Sequence, residues 1–276
     1  MLSHGTVDQE AFENAYAIIA DNRFHASKWG KSTRLGAGLH GEVYKSEAFN
    51  GPTFAVKIFE VEREPGWQTV HGEKRGIEAT ADVQWKAIEL SQRYAHDSYR
   101  ARMWERAASR IVRYHHFGHD FDSDPVMSYI VMDYVDGESL EKVAHTLTEN
   151  QRISIFVQLL EVVALLSSTE LGDKHSWVHR DIKTGNTVVK INTDGSVDAT
   201  VIDLGNICNG LLFDPYTRNE YRMTHWPWVP PEARMSRGRF TTCPDGSVSS
   251  FDMYSIGALM LELYCGPEEE VDAVNY

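Results

Sequence analysis

Short apolar runs separated by glycine- or proline-containing turns lie between residues 32 and 59, and two further short runs lie between residues 111 and 134. Runs of this length, with turn residues such as Gly51-Pro52 between them, are typical of strands in a small antiparallel sheet. The sequence predicts strands at 32–35, 41–47, 53–59, 111–117 and 128–134.

Apolar residues at helical spacing predict helices around these strands. One helix is expected at 7–21, and the stretch 77–109, which lacks proline and glycine, predicts one long helix or two in succession. A capping box, Thr148–Gln151, precedes an apolar stripe that begins at Ile153. The stretch that opens at Asp252 is apolar nearly all round, so we expect that helix to lie in a core.

Composition indicates an ordinary globular protein. The chain has 276 residues, of which 42% are hydrophobic, and its formal net charge is −13. An acidic balance argues against a nucleic-acid partner, because phosphate binding normally needs a basic face. The three cysteines are scattered without metal-ligand spacing, so neither a zinc site nor a disulfide framework is expected. A reducing compartment, the cytoplasm, is therefore the favoured location. The most apolar stretch, 153–166, is too short to span a membrane, and no signal peptide is expected.

Three motifs together carry the candidate chemistry. The first is the glycine-rich run 36–43, which by itself would be weak evidence because many such runs are ordinary turns. The second places Asp181, Lys183 and Asn186 on one short segment, and Asp203 follows in the third, Asp-Leu-Gly. This spacing can supply a base, a phosphate contact and a pair of metal ligands, as phosphoryl transfer requires.

These motifs resemble those of eukaryotic-type protein kinases, and the resemblance covers the chain from about residue 35 to residue 263. It implies an α+β, bilobal kinase-like fold, in which a small antiparallel-sheet N-lobe precedes a mostly helical, truncated C-lobe. The expected organisation is an N-terminal helix and linker at 1–33, an N-lobe at 34–135 with a helical insert at 77–109, and a C-lobe at 136–276.

The resemblance implies a role for individual residues. Catalysis would fall to Asp181 as the base, with Lys183 and Lys57, and Mg²⁺ would be held by Asn186 and Asp203. The residues expected to bind ATP are Leu35, Gly36, Gly38, Gly41, Val43, Ala55, Lys57, Asp133, Val135 and Val188.

Further roles are implied for residues around this set. Met132 would be the gatekeeper, and Asp252 would hold, through backbone N–H groups, the catalytic loop, which carries Asp181, Lys183 and Asn186. Arg180 either contacts a phosphate on the activation segment, 206–229, or pairs locally as a structural arginine.

One partner stays open. The family pairs its third-strand lysine with a glutamate on a mobile helix, and Glu73, Glu78 and Glu89 are all candidates here. From Lys57 to Ile111 the chain runs 54 positions, which is longer than the family needs for that one helix. We therefore expect inserted residues beside the helix.

The favoured function is a serine/threonine protein kinase, because Lys183 resembles the serine/threonine version of the loop. One alternative is a small-molecule kinase of the aminoglycoside type, which usually lacks Arg180, Lys183 and a Pro-Pro-Glu closure. Another is a pseudokinase that acts as a binding module, although such proteins usually lose the equivalents of Lys57, Asp181 or Asp203.

The predicted C-lobe lacks the final helices of the family. Either the chain was cut short, or the protein resembles the minimal kinases that some bacterial pathogens deliver into host cells. In both cases the Asp252 helix would keep an apolar flank for an activating protein partner, in addition to the protein substrate.

Overall fold

The computed structural model describes residues 33–38, 41–47, 53–60, 66–120, 127–172, 175–209, 228–230 and 251–266. The predicted helix at 7–21, the hairpin tip at 39–40 and most of the predicted activation segment lie outside the described residues, as does Glu232 of the Pro-Pro-Glu closure. Among the described residues, no helix is both long enough and apolar enough to cross a membrane.

The chain divides into two compact units. The first comprises Met1–Ile77 and Arg113–Val135, and the second comprises Glu78–Val112 and Asp136–Tyr276. Residues 78–112, which the sequence assigns to the predicted N-lobe, group with the second unit. Within this stretch Val83 and Leu90 are buried, and the helix at 98–109 packs against the helix at 149–167 of the same unit.

The first unit contains a five-stranded antiparallel sheet with the order β1-β2-β3-β5-β4. Its strands are β1 (Thr33–Gly38), β2 (Gly41–Glu47), β3 (Thr53–Glu60), β4 (Tyr114–Asp120) and β5 (Met127–Asp133). The antiparallel sheet of the first unit and the helices of the second unit confirm the predicted α+β class.

The fourth strand begins three residues later than predicted, at Tyr114 instead of Ile111. Ile111 forms an isolated bridge with Val201, and the N–H of Val112 donates to the Val201 carbonyl at 2.9 Å. Ile111 and Val112 therefore pair with the strand that contains Val201, in the second unit. The residues from Tyr114 onwards pair with β5 in the sheet of the first unit.

The helices are α1 (Gly66–Arg93), α2 (Ser98–Ser109), α3 (Leu140–Val143), α4 (Glu149–Ser167) and α5 (Phe251–Cys265). The second unit also has short strands, in the orders β6-β8-β9 and β10-β7. They are β6 (Glu138–Ser139), β7 (Trp177–Val178), β8 (Thr187–Ile191), β9 (Val197–Val201) and β10 (Cys208–Asn209).

Two successive helices, α1 and α2, occupy the stretch expected to be helical, but α1 starts at Gly66 instead of residue 77. Glycine is a poor helix former, and Gly72 and Gly76 therefore argued against a helix here. Both glycines are buried, as is Glu73 between them. Tertiary packing outweighs the intrinsic preference over this part of the helix.

Helix α4 packs against α2, α5, β7 and β9 of the second unit. Its predicted capping box is confirmed: the Gln151 N–H donates to the Thr148 hydroxyl, and the Thr148 N–H donates to Gln151 Oε1 at 2.9 Å. Buried Gln158 ties the helix to β9, because its Nε2 donates to the Val197 carbonyl and its Oε1 accepts from the Ala199 N–H. Helix α4 thereby fixes the hairpin that precedes Asp203.

Helix α5 is only partly a core helix. The apolar residues that it buries are Phe251, Ile256, Leu259 and Leu263. Exposed large side chains on α5 are Met253, Tyr254, Leu261 and Tyr264.

Candidate active site

Lys57 and Glu73 form a buried ion pair in the first unit. Nζ of Lys57, on β3, lies 2.7 Å from Oε1 of Glu73, on α1. Only 8% of the lysine side chain and 1% of the glutamate side chain are exposed, so each charge depends on a partner within the protein. Of the three glutamates that the sequence left open, the structure selects Glu73, while Glu78 is exposed and Glu89 lies further along α1.

The strand register places several predicted nucleotide-binding residues on one face of the sheet. Lys57 lies opposite Val43 on β2 and Ala55 lies opposite Met132 on β5. Residues two apart on a strand share a face, and so do directly opposed residues. Gly36, opposite Val43, joins the same face.

Gly41 occupies a position that only glycine can fill without strain. Its φ is 127°, and a Cβ there would overlap the carbonyl oxygen of Ile58. By contrast, a Cβ at Gly36 would meet no atom within 4 Å. Gly38 pairs with Gly41, so the last described pair of β1 and β2 carries no side chain on either strand.

Asp133 is the last residue of β5, and Val135 lies two residues after it. The Asp133 N–H donates to the Arg113 carbonyl at 2.9 Å, so this residue can offer adenine its carbonyl but not its N–H group. The Asp133 carboxylate is held by His115 at 2.7 Å and by Nε of Arg113 at 3.1 Å. Burial acts to raise the pKa of Asp133, but these contacts outweigh burial and lower the pKa.

The predicted nucleotide residues are divided between the units. Leu35 is exposed and Val135 is half-buried, both in the first unit, whereas Val188 is half-buried on β8 in the second unit. Val188 lies opposite Thr200 on β9 and Ser139 on β6.

Asp181 is oriented by two neighbours on its own loop. Nζ of Lys183 lies 3.1 Å from both carboxylate oxygens, and Nδ2 of Asn186 donates to Oδ2 of Asp181 at 2.8 Å. The Asn186 amide also donates to the Asp181 carbonyl at 3.0 Å. Three of the predicted catalytic and metal-binding residues therefore meet in the second unit.

Asp203 lies beside Asn186. The N–H of Ile202, the preceding residue, donates to the Asn186 carbonyl at 2.9 Å. The Asn186 amide nitrogen donates to Asp181, and the amide oxygen is the atom of this side chain that can bind a cation. One carboxylate and one amide oxygen fit Mg²⁺, which uses few protein ligands when phosphate oxygens supply others.

Two residues of this loop system have left-handed backbones. Arg180 has φ of 66° and Asp203 has φ of 63°, both unfavourable for residues with a Cβ. Such conformations persist where surrounding contacts impose them, and they cluster at functional sites. For Arg180 the fixing contact is Asp252, whose carboxylate accepts the N–H groups of His179 at 2.7 Å and Arg180 at 2.8 Å.

Burial raises the pKa of Asp252, and the hydrogen bonds from His179 and Arg180 act in the opposite direction. The Arg180 side chain is also buried, and its Nε donates to the Asn206 carbonyl at 2.7 Å. Local pairing, one of the two roles left open for Arg180, is therefore present.

Asn206 is a residue that the sequence did not single out. Its Nδ2 lies 3.5 Å from Oδ2 of Asp181, and its carbonyl receives Arg180. The signal available was a polar residue directly after Gly205, where the motif ends. Thr184 was also missed, and its hydroxyl lies 3.1 Å from Glu262 Oε1 on α5.

A model of the protein kinase domain matches residues 29–269 of the chain. This chain belongs to the protein kinase family. The match includes every motif described above, from the glycine-rich hairpin to the Asp252 helix.

Individual kinases match at lower identity. Mitogen-activated protein kinase kinase kinase 3 of Arabidopsis thaliana is 25% identical over 246 residues, covering 87% of this chain and 35% of that protein. The probable serine/threonine-protein kinase PknB of Lactococcus lactis is 28% identical, covering 50% of this chain and 20% of its own length. The probable serine/threonine-protein kinase mkcC of Dictyostelium discoideum is 31% identical over 141 residues, covering 50% of this chain and 13% of that protein. The chain thus spans about a third or less of these relatives.

Proposed function

We propose that this chain transfers the γ-phosphoryl group of ATP to a serine or threonine hydroxyl group of a protein. The observation that carries the proposal is the convergence of Lys183 and Asn186 on the Asp181 carboxylate. A carboxylate fixed in this way can accept a proton from a hydroxyl group and direct its oxygen.

The transfer step uses little covalent chemistry from the protein. Asp181 takes the hydroxyl proton as the acceptor oxygen bonds to the γ-phosphorus, while the bond from that phosphorus to the bridging oxygen breaks and ADP leaves. Lys183, within 3.1 Å of Asp181, supplies a positive charge beside the developing negative charge.

The remaining predicted residues position the nucleotide. Lys57, held by Glu73, would orient the α- and β-phosphates. The glycine-rich run 36–43 would offer backbone N–H groups to the phosphates. Asn186 and Asp203 would hold Mg²⁺, which neutralises phosphate charge when bound.

Serine or threonine is the proposed acceptor because Lys183 matches that version of the loop, and two of the similar proteins are named as serine/threonine-protein kinases. We also infer a cytoplasmic location and a protein substrate. Activation by a partner protein, and delivery into a host cell, remain predictions. Comparing the activity of the purified chain with and without cellular extract tests the activating partner.

The decisive experiment measures transfer of label from γ-radiolabelled ATP to casein. The proposal expects Mg²⁺-dependent labelling of serine or threonine by the wild-type chain, and labelling slower by about 10²-fold or more with Asp181→Asn. Nucleotide binding without labelling of casein, or of the chain itself, would favour the pseudokinase alternative. Labelling of an aminoglycoside instead of protein would favour the small-molecule alternative.

A further inference from the structure

Asp82 on α1 binds two side chains in the segment that leads to the catalytic loop. Its Oδ2 accepts the indole Nε1–H of Trp177 at 2.6 Å, and its Oδ1 lies 2.5 Å from Nδ1 of His175. Asp82 and Trp177 are 95 residues apart in sequence. Both belong to the second unit.

Lys86 holds the same segment one helical turn further along α1. Its Nζ donates to the His175 carbonyl at 2.7 Å and to the Leu166 carbonyl, near the end of α4, at 2.9 Å. The Lys86 side chain is fully buried. Residues four apart share a helix face, so Asp82 and Lys86 contact the segment together.

Contacts at the end of α1 extend this attachment. Nη1 of Arg93 donates to the Glu170 carbonyl at 2.8 Å, and the Tyr94 hydroxyl donates to the Glu170 carboxylate at 2.5 Å. The described part of the connection from α4 to β7 is thus bound to α1 at both ends.

The held segment continues directly into the catalytic loop. Trp177 and Val178 form β7, which pairs with β10 so that Val178 lies opposite Cys208. Trp177 is buried, and only three residues separate it from Asp181. With so short a connection, a shift of Trp177 is transmitted to Asp181 along the backbone.

We propose that Asp82 and Trp177 are positioning residues for Asp181. Lys86 fixes the chain that precedes Trp177 by donating to the carbonyls of His175 and Leu166. The proposal rests on the proposed kinase function, since it assigns the bond between Asp82 and Trp177 to the transfer step. It predicts that breaking this bond impairs transfer while leaving nucleotide binding intact. A misplacement of a catalytic group by about 1 Å can lower a rate by up to about 10²-fold.

Two conservative variants weaken or remove the bond. In Asp82→Asn a single neutral amide oxygen replaces the two carboxylate oxygens that bind Trp177 and His175, and Trp177→Phe keeps an aromatic ring but loses the indole N–H. Each is expected to lower kcat by about tenfold or more with KM for ATP changed less than about twofold. The matched control is Glu78→Gln, the same chemical change at an exposed position on α1, which should retain wild-type kcat.

A double-mutant cycle separates this role from general loss of stability. If both residues act through their bond, the Asp82→Asn, Trp177→Phe pair should lower kcat little more than either single variant. Rates are compared at a temperature where thermal unfolding shows every variant folded. If Asp82→Asn does not fold, Trp177→Phe decides the question by the same comparison of kcat with KM.

The indole N–H resonances give a readout independent of catalysis. The chain has 7 tryptophans, and the signal lost in Trp177→Phe identifies the one bonded to Asp82. That signal should move in Asp82→Asn and stay in place in Glu78→Gln. If the signal moves in Asp82→Asn while kcat stays within about twofold of wild type, the positioning role is overturned. It is also overturned if a rise in KM for ATP accounts for the whole loss of activity.

Failure of the kinase proposal would look different. In that case the wild-type chain itself would not label casein, whereas the indole signal would still report the bond between Asp82 and Trp177. An active wild-type chain whose kcat is insensitive to both variants refutes only the positioning role.

Discussion

The ammonium group of Lys57 lies 2.7 Å from the carboxylate of Glu73, and both side chains are buried. Removing one member of such a pair leaves the other charge without compensation in a poorly solvated place. The pair therefore has consequences for stability as well as for phosphate positioning.

Glu73→Gln should lower both stability and phosphoryl transfer. The substitution keeps the shape of the side chain but removes the charge that balances Lys57. We expect a loss of unfolding free energy of about 3 kcal/mol and a fall in kcat/KM of about 10²-fold. Denaturant unfolding and steady-state kinetics measure the two effects.

The control for this prediction is Glu78→Gln, which makes the same change on the same helix at an exposed site. It should leave stability within about 0.5 kcal/mol of wild type. Equal effects from the two variants would remove Glu73 from its assigned role.

The second prediction concerns Asp181 and Asp203. Asp203→Ala should abolish transfer because phosphate charge would be left unbalanced, and its melting curve should stay near that of the wild type. Asp181→Asn should lower kcat by about 10²-fold or more while nucleotide binding persists. Full activity in Asp181→Asn would reduce the assignment to nucleotide binding.

Much of the site could be predicted because its residues are close in sequence. Asp181, Lys183 and Asn186 lie within a single loop, and their spacing alone places them together. The strands β2, β3 and β5 were likewise anticipated from short apolar runs with turns between them, whereas their register came from the structure.

The rest depends on contacts that leave no local pattern. Glu73 could not be chosen among three glutamates because Gly72 and Gly76 concealed the start of its helix. The bond between Asp82 and Trp177 joins residues 95 positions apart, and no period or motif links them. Only tertiary packing identifies the stretch after Glu78 as part of the second unit's core.

This packing yields a third prediction, about the stretch expected to be an insert. Val83, Ala87 and Leu90 are buried, and Lys86 is too. Deleting residues 78–100 should therefore unfold the second unit instead of only removing a regulatory contact. Circular dichroism and proteolysis of the deleted chain test this, and a folded, active product would contradict it.

The glycine hairpin supports a fourth prediction with an internal control. Gly41→Ala should destabilise the protein by about 1–3 kcal/mol, because its backbone is left-handed and its Cβ would overlap the Ile58 carbonyl. Gly36→Ala has open space around the new Cβ and should change stability by less than about 1 kcal/mol. Thermal unfolding of both variants should rank them in this order, and similar melting temperatures would contradict the geometry.

The last prediction concerns pH and the buried ammonium group of Lys86. Burial lowers its pKa from 10.5 to about 8, while the charges of Asp82 and Glu170 act to raise it. Below pH 8 the lysine is charged in both the folded and the unfolded chain. Between pH 8 and 10.5 the folded chain has released this proton and the unfolded chain still holds it.

The unfolded chain then binds more protons, so this group makes the unfolding free energy rise with pH. The gain should approach about 3 kcal/mol by the upper end of the window. Urea unfolding of the wild type and of Lys86→Met between pH 8 and 10.5 measures this gain as the difference between their unfolding free energies. The contributions of the other titrating groups largely cancel in that difference. Because methionine does not titrate, the advantage of the wild type should grow between pH 8 and 10.5 and be constant below pH 8. Parallel curves for the two proteins would show that Lys86 titrates at an ordinary pKa.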